Sequence, residues 1–290
     1  MVIIVWPAGR GRGAAAMMTD GALMIDSSMA NICRGVSILV DPWLVEELTF
    51  AGQAWLYRGK KTHIPPLDLN KITEGVDALI LSQASRITSF PFQSGLPDHA
   101  HVPTLERLPK DLHVVASPAG AKVAAGLGFK NVTALDHGEE IAIADGKMTI
   151  RATAGALVGP PWAKRENGFV FREQVPDGIT LYYEPHCDYD ESSLAGVDSA
   201  DIVITPCVNQ ELLNYPLVMG KDNVVGLLKR LRPSVLLPLV NAEFDSEGPL
   251  SKLISEKGSV QELEPQLQPE GLENVRVLVP EPAKPLTVEL

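Results

Sequence analysis

Residue types that could ligate a soft metal or act as nucleophiles are scarce in this chain: six histidines and three cysteines in 290 residues. That scarcity makes their neighbours informative. Titratable groups gather in short segments that read as strand ends running into loops. These are Asp41-Pro42-Trp43, Gln83 with Asp98-His99-Ala100-His101, Gly155 with Gly159-Pro160-Pro161-Trp162, Glu184-Pro185-His186-Cys187, and Pro238–Asn241. Carboxylates and imidazoles in such places can serve acid–base or metal chemistry. Taken alone, Asp98-His99 also reads as a loop-capping pair. His186 also reads as a hydrogen-bonded residue stabilising a pocket that holds no metal. Cys33, Cys187 and Cys207 are odd in number and form no CxxC pair. They suit neither a zinc ribbon nor a disulfide scaffold, and point to a reducing compartment. His63, His113 and His137 lie in loop, strand and turn contexts, where surface or satisfied-core roles are expected, and Cys207 reads as core. Trp43, Trp55, Phe92 and Trp162 could line a pocket, with apolar packing as the default. Gly155–Pro161 lacks the Lys and Ser/Thr of a phosphate-binding loop.

The elements that must position these segments follow from patterning. Apolar runs at Val36–Val40, Asp77–Leu81 and Leu112–Ala116 read as buried strands. Ser117-Pro118 reads as an N-cap with proline in the first helical position, opening a helix through Ala119–Leu127. Val132–Leu135, Glu139–Ile143 and Lys147–Ala152 read as short strands with a turn at Asp145-Gly146. Gly168–Phe171 and Ile179–Tyr183 continue the β pattern around Pro176-Asp177-Gly178. Asp201–Thr205 and Val235–Leu237 are later strands. Between them Val224, Val225, Leu228 and Leu231 recur at helical spacing until Arg232-Pro233. Leu250–Ile254 reads as a short helix after Gly248-Pro249. A β-rich first half followed by strand–helix alternation suggests stacked sheets with helices outside.

Composition narrows the function classes. A formal charge of −11 opposes any broad grip on a phosphate backbone, so nucleic acid is an unsuitable partner. No apolar run approaches the ~18–20 residues of a membrane span. Residues 1–19 carry two arginines, Arg10 and Arg12, and no acid before Asp20. The stretch loosely resembles an organelle transit peptide but lacks its serines, and a misassigned leader is the other reading. The expected organisation is a leader or irregular first strand at 1–35, one domain at 36–280, and a tail at 281–290.

The segments in order, LVDPWL, DALILSQ, GLPDHAH, TAGALVGPPW, LYYEPHCDYD, DIVITP and LLPLVNAEFD, resemble the metallo-β-lactamase superfamily. Within it they are most similar to the lactonase-like, metal-dependent hydrolases of plants and cyanobacteria. The resemblance runs from about Val36 to Val279. It implies an α/β fold, the αββα sandwich, with two mixed sheets packed face to face and outer helices. It also implies a chloroplast or cytoplasmic location.

The family's main metal motif is a strand followed by T-H-x-H-x-D-H. Omitting Ala84–Ser94 aligns Ser82-Gln83-Gly95-Leu96-Pro97-Asp98-His99 with it, so Gln83 and Leu96 replace two histidines while Asp98 and His99 remain. The ungapped alignment places Gln83, Ser85, Ile87 and Thr88 there and keeps no ligand. Gly155 stands at the third histidine, His186 at the bridging aspartate, and Val240 at the last histidine. The resemblance thus implies one divalent metal, zinc, on Asp98, His99 and His186, in place of a two-metal site. Asp41 matches a strand-end aspartate that braces this site. Three N/O ligands with an open position is the catalytic-zinc pattern, which acidifies bound water. His101, two residues beyond His99 on an extended segment, would share its face as fourth ligand or proton donor. Glu184, two before His186, would orient the imidazole or act as general base. The implied activity is hydrolysis of a small-molecule ester, lactone or amide, with Asp98, His101 and Glu184 as catalytic groups. The alternative is an inactive binding or scaffold protein on the same fold. The superfamily's nucleic-acid-processing branch is disfavoured by the acidic charge and the missing two-metal ligands.

Overall fold

Aliphatic runs bounded by turn residues build two mixed sheets, each in its own compact unit. The computed structural model describes residues 29–30, 35–45, 47–61, 69–84, 99–158, 161–239 and 244–280, with 286, 288 and 290 of the tail. Most of the expected leader, the 85–94 stretch, Asp98, Leu96, Val240, His63, Phe92 and Cys33 lie outside the described residues. One unit comprises Met1–Leu135, Asn241–Lys252 and Glu281–Glu289; the other comprises Asp136–Val240, Leu253–Pro280 and Leu290.

In the first unit the strand order is Met29–Ala30, Ile38–Val40, Ala78–Leu81, His113–Ala116, Asn131–Ala134. The first pair is antiparallel and the rest are parallel. Parallel strands need crossovers, and the helices Val102–Arg107 and Pro118–Gly126 lie between the later ones. Leu79, Leu81, Val114 and Ala116 pack with Leu105, Ala121, Ala124 and Phe129 of this helical layer. Ile38, Val40, Ile80 and Val115 alternate with them and are also buried, so these strands read as unbroken apolar runs. The expected cap is present: Ser117 Oγ accepts from the Gly120 amide at 3.2 Å, and Pro118 opens the helix. A small antiparallel sheet joins Leu48–Thr49, Arg58–Lys61 and Phe244–Glu247.

The second unit carries seven strands in the order Arg276–Val277, Val235–Pro238, Ile202–Thr205, Thr180–Tyr183, Asn167–Glu173, Met148–Ala154, Glu140–Ile143. The first four are parallel and the last four form an antiparallel meander. The helices Gly220–Leu231 and Val260–Leu267 bury Val224, Leu228, Leu231, Leu263 and Leu267 against Val170, Tyr182, Val203 and Leu236.

The mixed α/β class is as expected, and so are the main strands to within a residue or two. Differences are local. Leu250–Leu253 is a 3-10 turn, but Ile254 begins a strand to Lys257 instead of ending a helix. That strand pairs with Asn209–Leu212, half of an unexpected hairpin with Tyr215–Met219. Trp55 and Trp162 are 69% and 82% exposed, so neither packs into the core. Among the described residues no helix is long and apolar enough to cross a membrane.

Candidate functional site

The first unit brings Asp41, Ser82 and His99 together. The strand Ile38–Val40 ends at Asp41, whose backbone turns into the left-handed region at φ +42° while its amide still bonds Ile80 O at 2.9 Å. This turn carries the carboxylate to the end of the neighbouring strand. Its side chain is 0% exposed, and a buried carboxylate needs donors. Oδ1 accepts from the Ser82 amide at 2.8 Å, and Oδ2 accepts from Ser82 Oγ and from His99 Nδ1, the latter at 2.9 Å. A carboxylate oxygen accepts, so Nδ1 donates, and in the neutral ring Nε2 then bears the lone pair. The contact ties an otherwise 11% exposed imidazole into one orientation. Asp41 thus holds the His99 ring.

His101 has a different setting. It lies at the N-terminus of the helix Val102–Arg107 and is 1% exposed. Nε2 faces Glu47 O at 3.3 Å and Nδ1 faces Thr104 Oγ1 at 2.9 Å, while Thr104 Oγ1 accepts from the Leu44 amide at 2.9 Å. A carbonyl only accepts, so these bonds select the Nε2–H tautomer. Its ring lies 5.8 Å from that of Trp43. His99 sits in a turn and His101 at a helix start, so the two do not share an extended face. His101 fastens the loop around Trp43 and Leu44 to a helix.

The second unit assembles the turn after Thr180–Tyr183. Glu184 stays in register, its amide on Ile204 O at 3.1 Å and its carbonyl accepting from Thr205 Oγ1 at 2.8 Å. Glu184 and His186 do not share a strand face, because the strand has ended and the chain turns. Glu184 Oε2 accepts from the amides of His186, 3.1 Å, and Asp188, 2.9 Å. The His186 carbonyl accepts from the Met219 amide at 2.8 Å, and the Cys187 carbonyl from Asn223 Nδ2 at 2.8 Å. Asp188 holds the adjoining loop: Oδ2 accepts from the Leu157 amide at 2.9 Å and Oδ1 from Arg165 Nη1 at 2.9 Å. The same Arg165 Nη1 donates to Gly155 O at 2.7 Å. Asp188 and Arg165 were not among the residues expected to serve the site, although Asp188 lies within LYYEPHCDYD.

Gly155, where the resemblance places a histidine, has no room for one. A Cβ there would meet Gly168 N at 2.8 Å, the Asn167 carbonyl carbon at 2.9 Å and Glu184 Oε1 at 3.1 Å. At Gly168 a Cβ would meet Thr153 Oγ1 at 2.8 Å, with Glu184 Cγ and Tyr182 Oη at 3.1 Å. Burial, reinforced by the Glu184 charge, pushes the Tyr182 hydroxyl well above its ordinary range. Burial likewise raises the Cys187 thiol and pushes Cys207 up to about 12, so both stay protonated and are poor nucleophiles. Among the described residues no three His, Cys, Asp or Glu side chains form a group that could hold a metal. Asp98 lies outside them.

Residues 27–240 match the model of the family described as the beta-lactamase superfamily domain. The chain is similar to a possible metal-dependent hydrolase from Veillonella parvula DSM 2008, at 17% identity and TM-score 0.60 over 91% of this chain and 98% of that one. It is also similar to an isothiocyanate hydrolase from Delia radicum gut bacteria, at 21% identity and TM-score 0.61 over 90% and 96%. The metallo-beta-lactamase fold protein YhfI from Bacillus subtilis aligns at 14% identity and TM-score 0.52, again over 90% and 96%. At these identities the likeness is one of fold. No curated protein matches the chain in sequence.

Proposed function

We propose that this chain, which belongs to the beta-lactamase superfamily domain family, is a hydrolase that uses one divalent metal, zinc, on a small-molecule ester, lactone or amide. The observation that carries this reading is His99 held through Nδ1 by the buried carboxylate of Asp41. A carboxylate behind an imidazole is how proteins orient a metal-binding histidine and raise its basicity. The donors therefore fit a divalent ion by type. By the sequence resemblance, Asp98 and His186 would join His99 in holding it. Bound there, the metal would acidify water and polarise a carbonyl.

The chain's own residues set the conditions for that chemistry. Asp41 fixes the His99 tautomer, and Ser82, donating twice, keeps Asp41 aimed. Glu184 fixes the backbone that carries His186. In this reading His101 is a brace and not a proton carrier, because both its ring nitrogens serve bonds inside the fold. The hydrolase descriptions of two structural neighbours support the reaction class, and the motif order supports a lactonase-like branch. The same plant-like resemblance, with the acid-free leader, adds a plastid location to the proposal.

Elemental analysis of protein purified without added zinc should find about one metal per chain. Replacing His99 and His186 together should remove it; unchanged metal content would overturn the ligand assignment. Protein that holds no metal, folds with a sharp thermal transition and hydrolyses no ester or lactone would favour the binding-protein alternative.

A further inference from the structure

We infer that Glu184 is a positioning residue: its buried carboxylate clamps two main-chain amides and so presents His186. The inference rests on the hydrolase reading for what His186 does, and on geometry alone for the clamp. The turn leaves a strand inside the fold, where a main-chain amide without a partner is costly. Pro185 has no N–H to offer. The amides of His186 and Asp188 both donate to Glu184 Oε2, at 3.1 Å and 2.9 Å. Cys187 between them adopts φ +53°, which a side-chain-bearing residue keeps only where its surroundings impose it. From the other side, Met219 N and Asn223 Nδ2 hold the carbonyls of His186 and Cys187.

The slot for the carboxylate is itself built. Gly155 and Gly168 come from the two strand ends beside it, and a Cβ on either would lie 3.1 Å from a Glu184 atom. A long acidic side chain turned inward onto backbone is thus matched by two residues without side chains. Glu173 supplies an internal comparison. At the opposite end of the same strand pair, its Oε2 accepts from one turn amide, Ile179 N, at 2.9 Å. It is a clamp of the same kind that does not touch His186.

The test compares E184A, E184Q and E173A with the unaltered chain. In zinc-free protein, hydrogen exchange at the amides of His186 and Asp188 should be slow in the unaltered chain, E184Q and E173A, and fast in E184A. Glutamine keeps an oxygen for both amides, so it should rescue. Zinc affinity, read by competition with a chromophoric chelator, should fall about tenfold or more in E184A and stay within about threefold in E184Q and E173A. E173A controls for loss of stability alone. Unchanged exchange in E184A, or an E184Q that fails as E184A does, overturns the clamp. If the unaltered chain takes up no zinc, the hydrolase reading fails while the exchange experiment still decides the clamp. Should E184A not fold, G168A, which intrudes on the Glu184 slot, should speed exchange at the same two amides; no change there would also overturn the clamp.

Discussion

Two strand ends in this molecule solve a similar problem with opposite choices. Asp41 and Glu184 are both buried carboxylates at the ends of parallel strands, and each turn contains a left-handed residue, Asp41 itself or Cys187. Asp41 reaches Ser82 Oγ and the His99 ring, so it steers a side chain directly. Glu184 spends Oε2 on two main-chain amides and steers the chain from which His186 projects. The difference teaches that an acidic residue near a histidine can act on the backbone that carries it. It also predicts different tolerance to the same chemical change, because an amide can replace an acceptor of backbone donors more easily than a carboxylate surrounded by three donors.

The largest contrast should come from the paired amide substitutions. D41N puts an NH2 group among donors and should cost about 3 kcal/mol in denaturant unfolding, with loss of metal. E184Q should cost under about 1 kcal/mol and keep it. Equal losses would break the comparison. Next, G155H should lose about 2 kcal/mol by overpacking and bind no second metal, checked by thermal melts and elemental analysis. Two zinc ions in that variant would show that the third histidine's place is still open. H101N removes the brace to Glu47 O and Thr104 Oγ1; it should cost about 1–2 kcal/mol with metal content unchanged. S117A should cost about 1 kcal/mol through the lost helix cap, seen in the same unfolding experiment.

The smallest effect is in pH. Burial lowers the His113 pKa from its ordinary 6.5, so the folded chain binds this proton less readily than the unfolded chain. Stability from this group is full above 6.5 and is lost as pH falls from there through the folded value. Melting temperatures of H113Q should therefore fall less below 6.5 than those of the unaltered chain.

The strands were legible because continuous apolar runs bounded by turn residues admit few other readings, as at Ala78–Leu81 and Ile202–Thr205. The Asn209–Met219 hairpin was not. Its strands are mostly half-exposed, Pro216 interrupts one, and the pairing shifts register at Gln210/Glu211, so no clean alternation survives. Pro265 similarly disguises the helix Val260–Leu267. In the candidate site, Asp41 was legible from its place at a strand end. The settings of Glu184 and His101 were not, because they depend on residues distant in sequence. Glu47 and Thr104 decide where the His101 nitrogens go, and Gly155 and Gly168 decide where the Glu184 carboxylate fits. Spacing of two can place groups on one face only where the strand continues, and at both segments it has stopped.

The glycine pair constrains which substitutions the turn can accept. A side chain at 155 meets the Gly168 backbone before it meets anything that could move aside, and the space beyond is held by Glu184. A histidine could not simply be introduced there by a single substitution. The strand end at 168 and the acid at 184 would have to yield first, and each of those changes loosens the His186 turn. Substitutions at these three positions should therefore be order-dependent.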